Sequence, residues 1–190
     1  MSIRITSSGH NFSFDSLTAS DQDVIISLET SKAMLVPTSL LSEEQSVEDH
    51  LRAAGINLNP HSEQSVVIRQ DDVTSAIVVV ATDLLAQING VYRGQKSFTT
   101  PLLTPARGRG HELQISLSED SSLLTLLLFN GGDRLFAELF EVKGIADVLY
   151  WTARVGEGYD LTTYTIYITG GGRDLEKLLK NYYRGVIISL

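Results

Sequence analysis

Apolar and polar positions are most regularly ordered in the last third of the chain. From Glu112 to Ser118, Leu113, Ile115 and Leu117 alternate with polar residues, the two-residue period of a strand with one buried face. Glu119-Asp120-Ser121-Ser122 reads as a turn. Leu123 to Phe129 is nearly continuous apolar sequence, as expected of a strand covered on both faces. Asn130-Gly131-Gly132-Asp133 is a hairpin signal, because Asn and Gly tolerate the positive φ of tight turns. Arg134 to Phe140 supplies a third strand, with Leu135, Ala137 and Leu139 alternating against Phe136, Glu138 and Phe140. Ile145, Val148, Leu149, Thr152 and Val155 then recur at helical spacing, and Gly156 and Gly158 end that helix. Thr163 to Thr169 is the next strand. Gly170-Gly171-Gly172 turns the chain into a helix over Arg173 to Arg184, whose stripe is Leu175, Leu178, Leu179, Tyr182 and Tyr183. Asp174 and Glu176 open that helix and Lys180 and Arg184 close it, which complements its dipole. Gly185 ends it, and Val186 to Leu190 returns as a strand.

The first half is a rougher version of the same plan. Ile3 to Thr6 and Phe12 to Phe14 flank the turn Ser7-Ser8-Gly9-His10-Asn11, and Val24 to Leu28 and Ala33 to Val36 read as strands. A helix is predicted from Ser42 to Ala54, with Ser42 and Gln45 spaced as a capping box. Strands at Val66 to Arg69 and Ser75 to Ala81 precede a helix from Asp83 to Val91 with Leu84, Leu85, Ile88 and Val91 inward, and Phe98 begins another extended segment. Between the halves, Pro101 to Gly110 holds two prolines, two glycines, Arg107 and Arg109, the composition of a linker or hinge. Three strands followed by helix, strand, helix, strand argue for an α/β chain of two related lobes. This βββαβαβ plan matches the ribonuclease-H-like unit, which actin-like ATPases duplicate. The expected organisation is a first lobe over 1–100, a linker over 101–110 and a second lobe over 111–190.

Composition narrows the function classes. The 190 residues include no cysteine, which removes disulfides, Cys-based zinc sites, iron–sulfur clusters and a cysteine nucleophile. With 15 basic against 23 acidic residues the net charge is −8, so nucleic-acid binding, which draws on a basic face, is not expected. The longest apolar run is strand-sized and the Met1-Ser2-Ile3-Arg4-Ile5 opening carries no apolar signal core. The expectation is a soluble, acidic, cytoplasmic protein.

Met34-Leu35-Val36-Pro37 with Leu40, Leu41 and Leu51 resembles a signature of DUF3822, an uncharacterised Bacteroidetes family. So do Leu127-Leu128-Phe129-Asn130, Ala146-Asp147-Val148-Leu149-Tyr150, and Ile168-Thr169-Gly170 with Leu178, Leu179 and Tyr182. Ile3-Arg4-Ile5 to Gly9-His10-Asn11-Phe12-Ser13-Phe14 is similar to the family's first hairpin. The resemblance spans most of the chain and implies an actin-like ATPase fold with no assigned activity. The family has more chain before its Val-Pro segment, including a third strand and a helix. Here only Leu17 to Lys32 fills that interval, so the first lobe is expected to be abbreviated.

An actin-like ATPase embraces phosphates with two turns and holds Mg²⁺ with carboxylates. Ser7-Ser8-Gly9-His10-Asn11 offers hydroxyls and a glycine but no carboxylate. Ser118-Glu119-Asp120-Ser121-Ser122 offers carboxylates but no glycine. Gly170, Gly171 and Gly172, between a strand and a helix start, are the better nucleotide candidate, although glycine also serves simply to leave a strand tightly. The nucleotide-binding candidates are therefore Gly170, Gly171, Gly172, Ser8, Gly9 and Asp120, with no catalytic or metal-ligating residue assigned. His10, His50, His61 and His111 lack metal-ligand spacing, and no serine-hydrolase elbow or P-loop occurs. Ile3 to Thr6 lacks the acidic residues of a two-metal nuclease. Arg107, Arg109 and His111 read as a solvated linker or as a basic loop for a phosphate or an acidic partner. Tyr150, Trp151, Tyr159, Tyr164 and Tyr167 read as part core and part exposed patch. The expected function is that of a degenerate actin-like pseudo-ATPase, a scaffold binding a protein partner without a resident cofactor; a homodimer is compatible with the sequence. The alternative is an ATP·Mg²⁺-binding ATPase or kinase relative that uses the glycine turn for adenosine.

Overall fold

A computed structural model describes residues 2–6, 9–10, 23–41, 46–92, 94–183 and 187–189. The chain divides into two compact units, Met1–Leu103 and Thr104–Leu190. The expected strand Phe12 to Phe14, Ser8, and the Ser42–Gln45 capping box lie outside the described residues.

The first unit contains, in order, β1 (Ser2–Thr6), β2 (Gly9–His10), β3 (Val24–Glu29), β4 (Ala33–Pro37), α1 (Val47–Ala53), β5 (Glu63–Arg69), β6 (Thr74–Ala81), α2 (Thr82–Val91) and β7 (Lys96–Thr99). These strands form two sheets. One has the order β2-β1-β3-β7, antiparallel between β1 and β2 and parallel from β1 through β3 to β7. The other is an antiparallel β4-β6-β5 sheet. The spacing of apolar residues recovers these strands but does not divide them between sheets. Two cores result. Ile5, Ile26, Leu28, Val78, Leu85, Ile88 and Tyr92 belong to one, and Val36, Leu51, Ile77 and Val79 to the other. β6 feeds both because Ile77 and Val79 project to one face and Val78 and Val80 to the opposite one.

Helix α1 begins later than the sequence predicts. Ser46, in extended conformation, accepts a hydrogen bond from Asp49 N at 3.2 Å and caps the helix. A helix running unbroken from Ser42 is thereby corrected: an extended Ser46 ends any such run, and its hydroxyl satisfies an otherwise orphaned N–H.

The second unit follows its pattern closely. β8 (His111–Leu117), β9 (Leu123–Asn130), β10 (Asp133–Glu141), α3 (Ile145–Gly156), β11 (Thr165–Thr169), α4 (Gly172–Tyr182) and β12 (Ile187–Ser189) succeed one another, with a short 3-10 turn at Leu161–Thr163. The sheet order is β10-β9-β8-β11-β12. β8, β9 and β10 pair antiparallel, and β8, β11 and β12 parallel. The β9–β10 hairpin turns on Gly131 and Gly132, whose φ angles are 64° and 102°, the handedness that two-residue hairpins favour. One face of the sheet carries Leu113, Ile115, Leu117, Leu124, Leu126, Leu128, Ile166 and Ile168, which cluster with Val148, Val155, Leu175 and Leu179 of the helices.

Pro101 to Gly110 packs within each unit at its ends. Leu102 and Leu103, in a 3-10 turn, are buried at the end of the first unit. Farther on, Arg107 N and Gly108 N donate to the Glu112 carboxylate at 2.8 and 3.0 Å, and Gln114 Nε2 donates to Pro105 O at 2.9 Å.

Candidate functional site

The strand–glycine–helix element at β11 and α4 is built as the sequence predicts, and its three glycines do different jobs. Their φ angles are 78°, 70° and 61°, conformations that side chains resist. A β-carbon on Gly170 would collide with the Leu117 carbonyl oxygen at the end of β8. On Gly171 it would lie 2.6 Å from Leu175 Cδ2. Both positions are filled by the protein itself. Around Gly172 nothing lies within 4 Å of such an atom. Gly171 occupies the N-cap position, so no side chain caps α4, and Asp174 is the acidic residue of its first turn.

The Ser118–Ser122 turn, which joins β8 to β9, is tied to itself. Asp120 Oδ1 accepts from Ser118 Oγ at 2.7 Å and from Ser122 N at 3.1 Å. Ser118 Oγ accepts in turn from Leu123 N at 2.9 Å. Ser121 has a φ of 56°, which an Asx-type turn tolerates. The turn therefore sits one strand away from the glycines, and Leu117, its entry residue, packs against both Gly170 and Gly171. Of the first candidate turn, Gly9 pairs with Thr6 as part of β2.

Sequence reasoning passed over Glu112 and Gln114. They alternate with Leu113 and Ile115 and so looked like the solvated side of β8, yet they are 2% and 3% exposed. Glu112 accepts from two backbone N–H groups and from Gln114 Nε2 at 2.8 Å, so its charge is satisfied without a cation. Arg107, just before them, stacks over the Tyr167 ring at 5.5 Å.

The aromatic group divides. Tyr164 is buried, with its hydroxyl held above the usual tyrosine range by desolvation and by the nearby Tyr159. Trp151 stacks on Phe140 with centroids 4.2 Å apart, and Tyr150, 55% exposed, meets Trp151 edge-on. The Tyr159 hydroxyl donates to Leu135 O at 3.4 Å. Among the described residues, no three His, Asp or Glu side chains are grouped to hold a metal ion, and no helix is long and apolar enough to cross a membrane.

No family profile and no curated protein matches the sequence. Solved structures do match. A Bacteroides thetaiotaomicron protein, described as having an actin-like ATPase fold and unknown function, superposes with a TM-score of 0.73. The alignment covers 92% of this chain and 71% of that one, at 19% identity. The chain has an actin-like ATPase fold. Two looser superpositions both have a TM-score of 0.48. The first is with the cytoplasmic domain of Epsl, an inner-membrane component of the type II secretion system of Vibrio cholerae, at 12% identity over 88% of this chain and 80% of that one. The second is with a PilM–PilN type IV pilus biogenesis complex, at 14% identity over 89% and 69%. At 19% identity the first likeness speaks for the fold alone.

Proposed function

We propose that this protein is a divergent actin-like protein of the DUF3822 type that binds a protein partner and does not hydrolyse ATP. The motifs quoted above support the kinship, and the element order of the second unit supports a ribonuclease-H-like lobe, with an abbreviated counterpart before it. The observation that carries the loss of ATPase chemistry is the closed Ser118–Ser122 turn. Its Asp120 carboxylate serves the turn's own hydroxyl and N–H groups. Using it for the water shell of Mg²⁺ would undo bonds that shape the loop. The glycines speak the same way. In a nucleotide site the missing side chains make room for ligand, whereas Gly170 and Gly171 make room for Leu117 and Leu175. The described parts of the glycine turn and the Ser118–Ser122 turn thus favour a binding role over ATP·Mg²⁺ chemistry.

Calorimetric titration with ATP and Mg²⁺ tests the proposal. The expected outcome is no saturable heat up to millimolar nucleotide and no phosphate release. Micromolar binding that Gly172→Glu abolishes would sink it and favour the ATP-binding alternative.

A further inference from the structure

No residue in 104–110 is buried, yet the segment is fastened along its length to the second unit. Thr104 O accepts from Arg134 Nη2 at 3.0 Å and Pro105 O from Gln114 Nε2 at 2.9 Å. The Arg107 and Gly108 N–H groups donate to the two oxygens of Glu112 at 2.8 and 3.0 Å. The Arg107 guanidinium lies over the Tyr167 ring, and Gly110 O accepts from Gly131 N at 3.1 Å. Each of these fastenings is a hydrogen bond or a cation–ring contact. A segment held this way, with no buried apolar side chain of its own, belongs to the low end of local stability.

The receiving side is the opposite case. Glu112 and Gln114 are almost fully buried. In the sheet Glu112 stands opposite Thr165 and Phe129, and Gln114 opposite Tyr167 and Leu127. Among the described residues the Glu112 carboxylate pairs with no lysine or arginine side chain; its donors are the Arg107 and Gly108 N–H groups and Gln114 Nε2, the last at 2.8 Å. A buried carboxylate without a cation depends on such donors, because desolvation is costly to a charge left unmet. Most of that satisfaction comes from two adjacent N–H groups of the exposed segment. The segment and the carboxylate therefore hold each other: withdrawing one N–H from Glu112 withdraws its neighbour, and leaves the charge with Gln114 alone. Gln114 is part of the same fastening, since its amide group is shared between the carboxylate and Pro105 O.

We propose that residues 104–108 form a latched strap, fastened by the Glu112 carboxylate, which opens as one unit while the sheet beneath it stays folded. Opening lifts Arg107 from Tyr167 and leaves the Glu112 carboxylate and the Gln114 amide in need of other partners. The strap is thus the fold's own occupant of the start of β8, and Glu112 is a positioning residue that acts through the backbone of Arg107 and Gly108. The device is independent of the function proposed above, and it is tested without nucleotide or partner.

Amide hydrogen exchange of the full chain, resolved by residue, is the test. The expected result is one common protection factor for the Arg107 and Gly108 amides, insensitive to low urea and smaller than those of Leu113 and Ile115 in β8. Glu112→Ala lowers both protection factors by at least about tenfold, while the circular dichroism of the chain is unchanged. Acetate added to that variant restores protection at both amides and an equal concentration of chloride does not, because a carboxylate alone fits the place between the paired N–H groups. Protection of Arg107 and Gly108 that is lost only together with that of β8 would overturn the proposal, since the segment would then be a fixed part of the sheet. So would unrelated protection at the two amides, indifference to Glu112→Ala, or equal effects of acetate and chloride. Exchange in the parent chain decides whether the strap opens alone even where Glu112→Ala fails to fold.

Discussion

Glu112 shows how much one buried acid can organise. Removing its carboxylate in Glu112→Ala strands the N–H groups of Arg107 and Gly108. The expected loss is about 3 kcal/mol in urea unfolding, the scale of charge-assisted bonds whose donors are left unsatisfied. Two other glutamates give opposite dependences on pH. Glu63 accepts from Lys32 Nζ at 2.6 Å and from Asn59 N at 2.8 Å, which holds its carboxyl below 4.5. Its contribution is complete above that unfolded value and is lost as pH falls through the lower folded one. Glu63→Gln should therefore destabilise at neutral pH, with the difference from the parent closing below pH 4.5. Glu138 is shifted upward, so the folded chain holds its proton the more tightly. Stability is gained as pH falls through the folded value, and Glu138→Gln should exceed the parent at pH 7 and converge with it in acid. Denaturant midpoints at a series of pH values check both signs.

At the scale of elements, the β11–α4 turn offers a graded test. Gly170→Ala meets both a left-handed backbone and the Leu117 carbonyl, which side-chain adjustment cannot relieve, and should cost about 3 kcal/mol or more. Gly171→Ala meets the Leu175 side chain, which can give somewhat. Gly172→Ala meets only its own φ and should cost about 1 kcal/mol. Thermal unfolding of the three variants in that order checks the ranking. This element was legible in the sequence because strand period, glycine run and helical stripe are all local signals. So were the three hairpin strands before it. The start of α1 was not, since Ser42 and Ser46 are equally good caps and nothing local chooses between them. The separate β4-β6-β5 sheet was also hidden, because sheet membership depends on pairing between distant segments. Glu112 and Gln114 were passed over for a related reason: alternation tells which residues share a face but not what covers it. At the glycine turn the sequence drew attention to the right residues, and only their neighbours revealed that two of them are occupied by packing.

For the molecule as a whole, the second unit has a substantial core cluster of its own, whose residues all lie beyond Thr104. A fragment of residues 104–190 should accordingly unfold in a single cooperative transition by circular dichroism, and a sloping, non-cooperative melt would contradict this. The first unit has a different character, set by the placing of its β4-β6-β5 sheet between β3 and β7. Those two strands pair in parallel from Val24↔Lys96 to Ser27↔Thr99, yet residues 30–95 separate them. Closing so long a loop is entropically slow, whereas the β5–β6 hairpin forms from neighbouring sequence. Folding of this unit should thus begin in its inserted sheet and finish when β7 zips onto β3. Phe98→Ala in β7 should leave the refolding rate nearly unchanged and accelerate unfolding, while Ile77→Val in β6 should slow refolding. In the cell, β7 would be the last strand of this unit to leave the ribosome and the one whose arrival completes it.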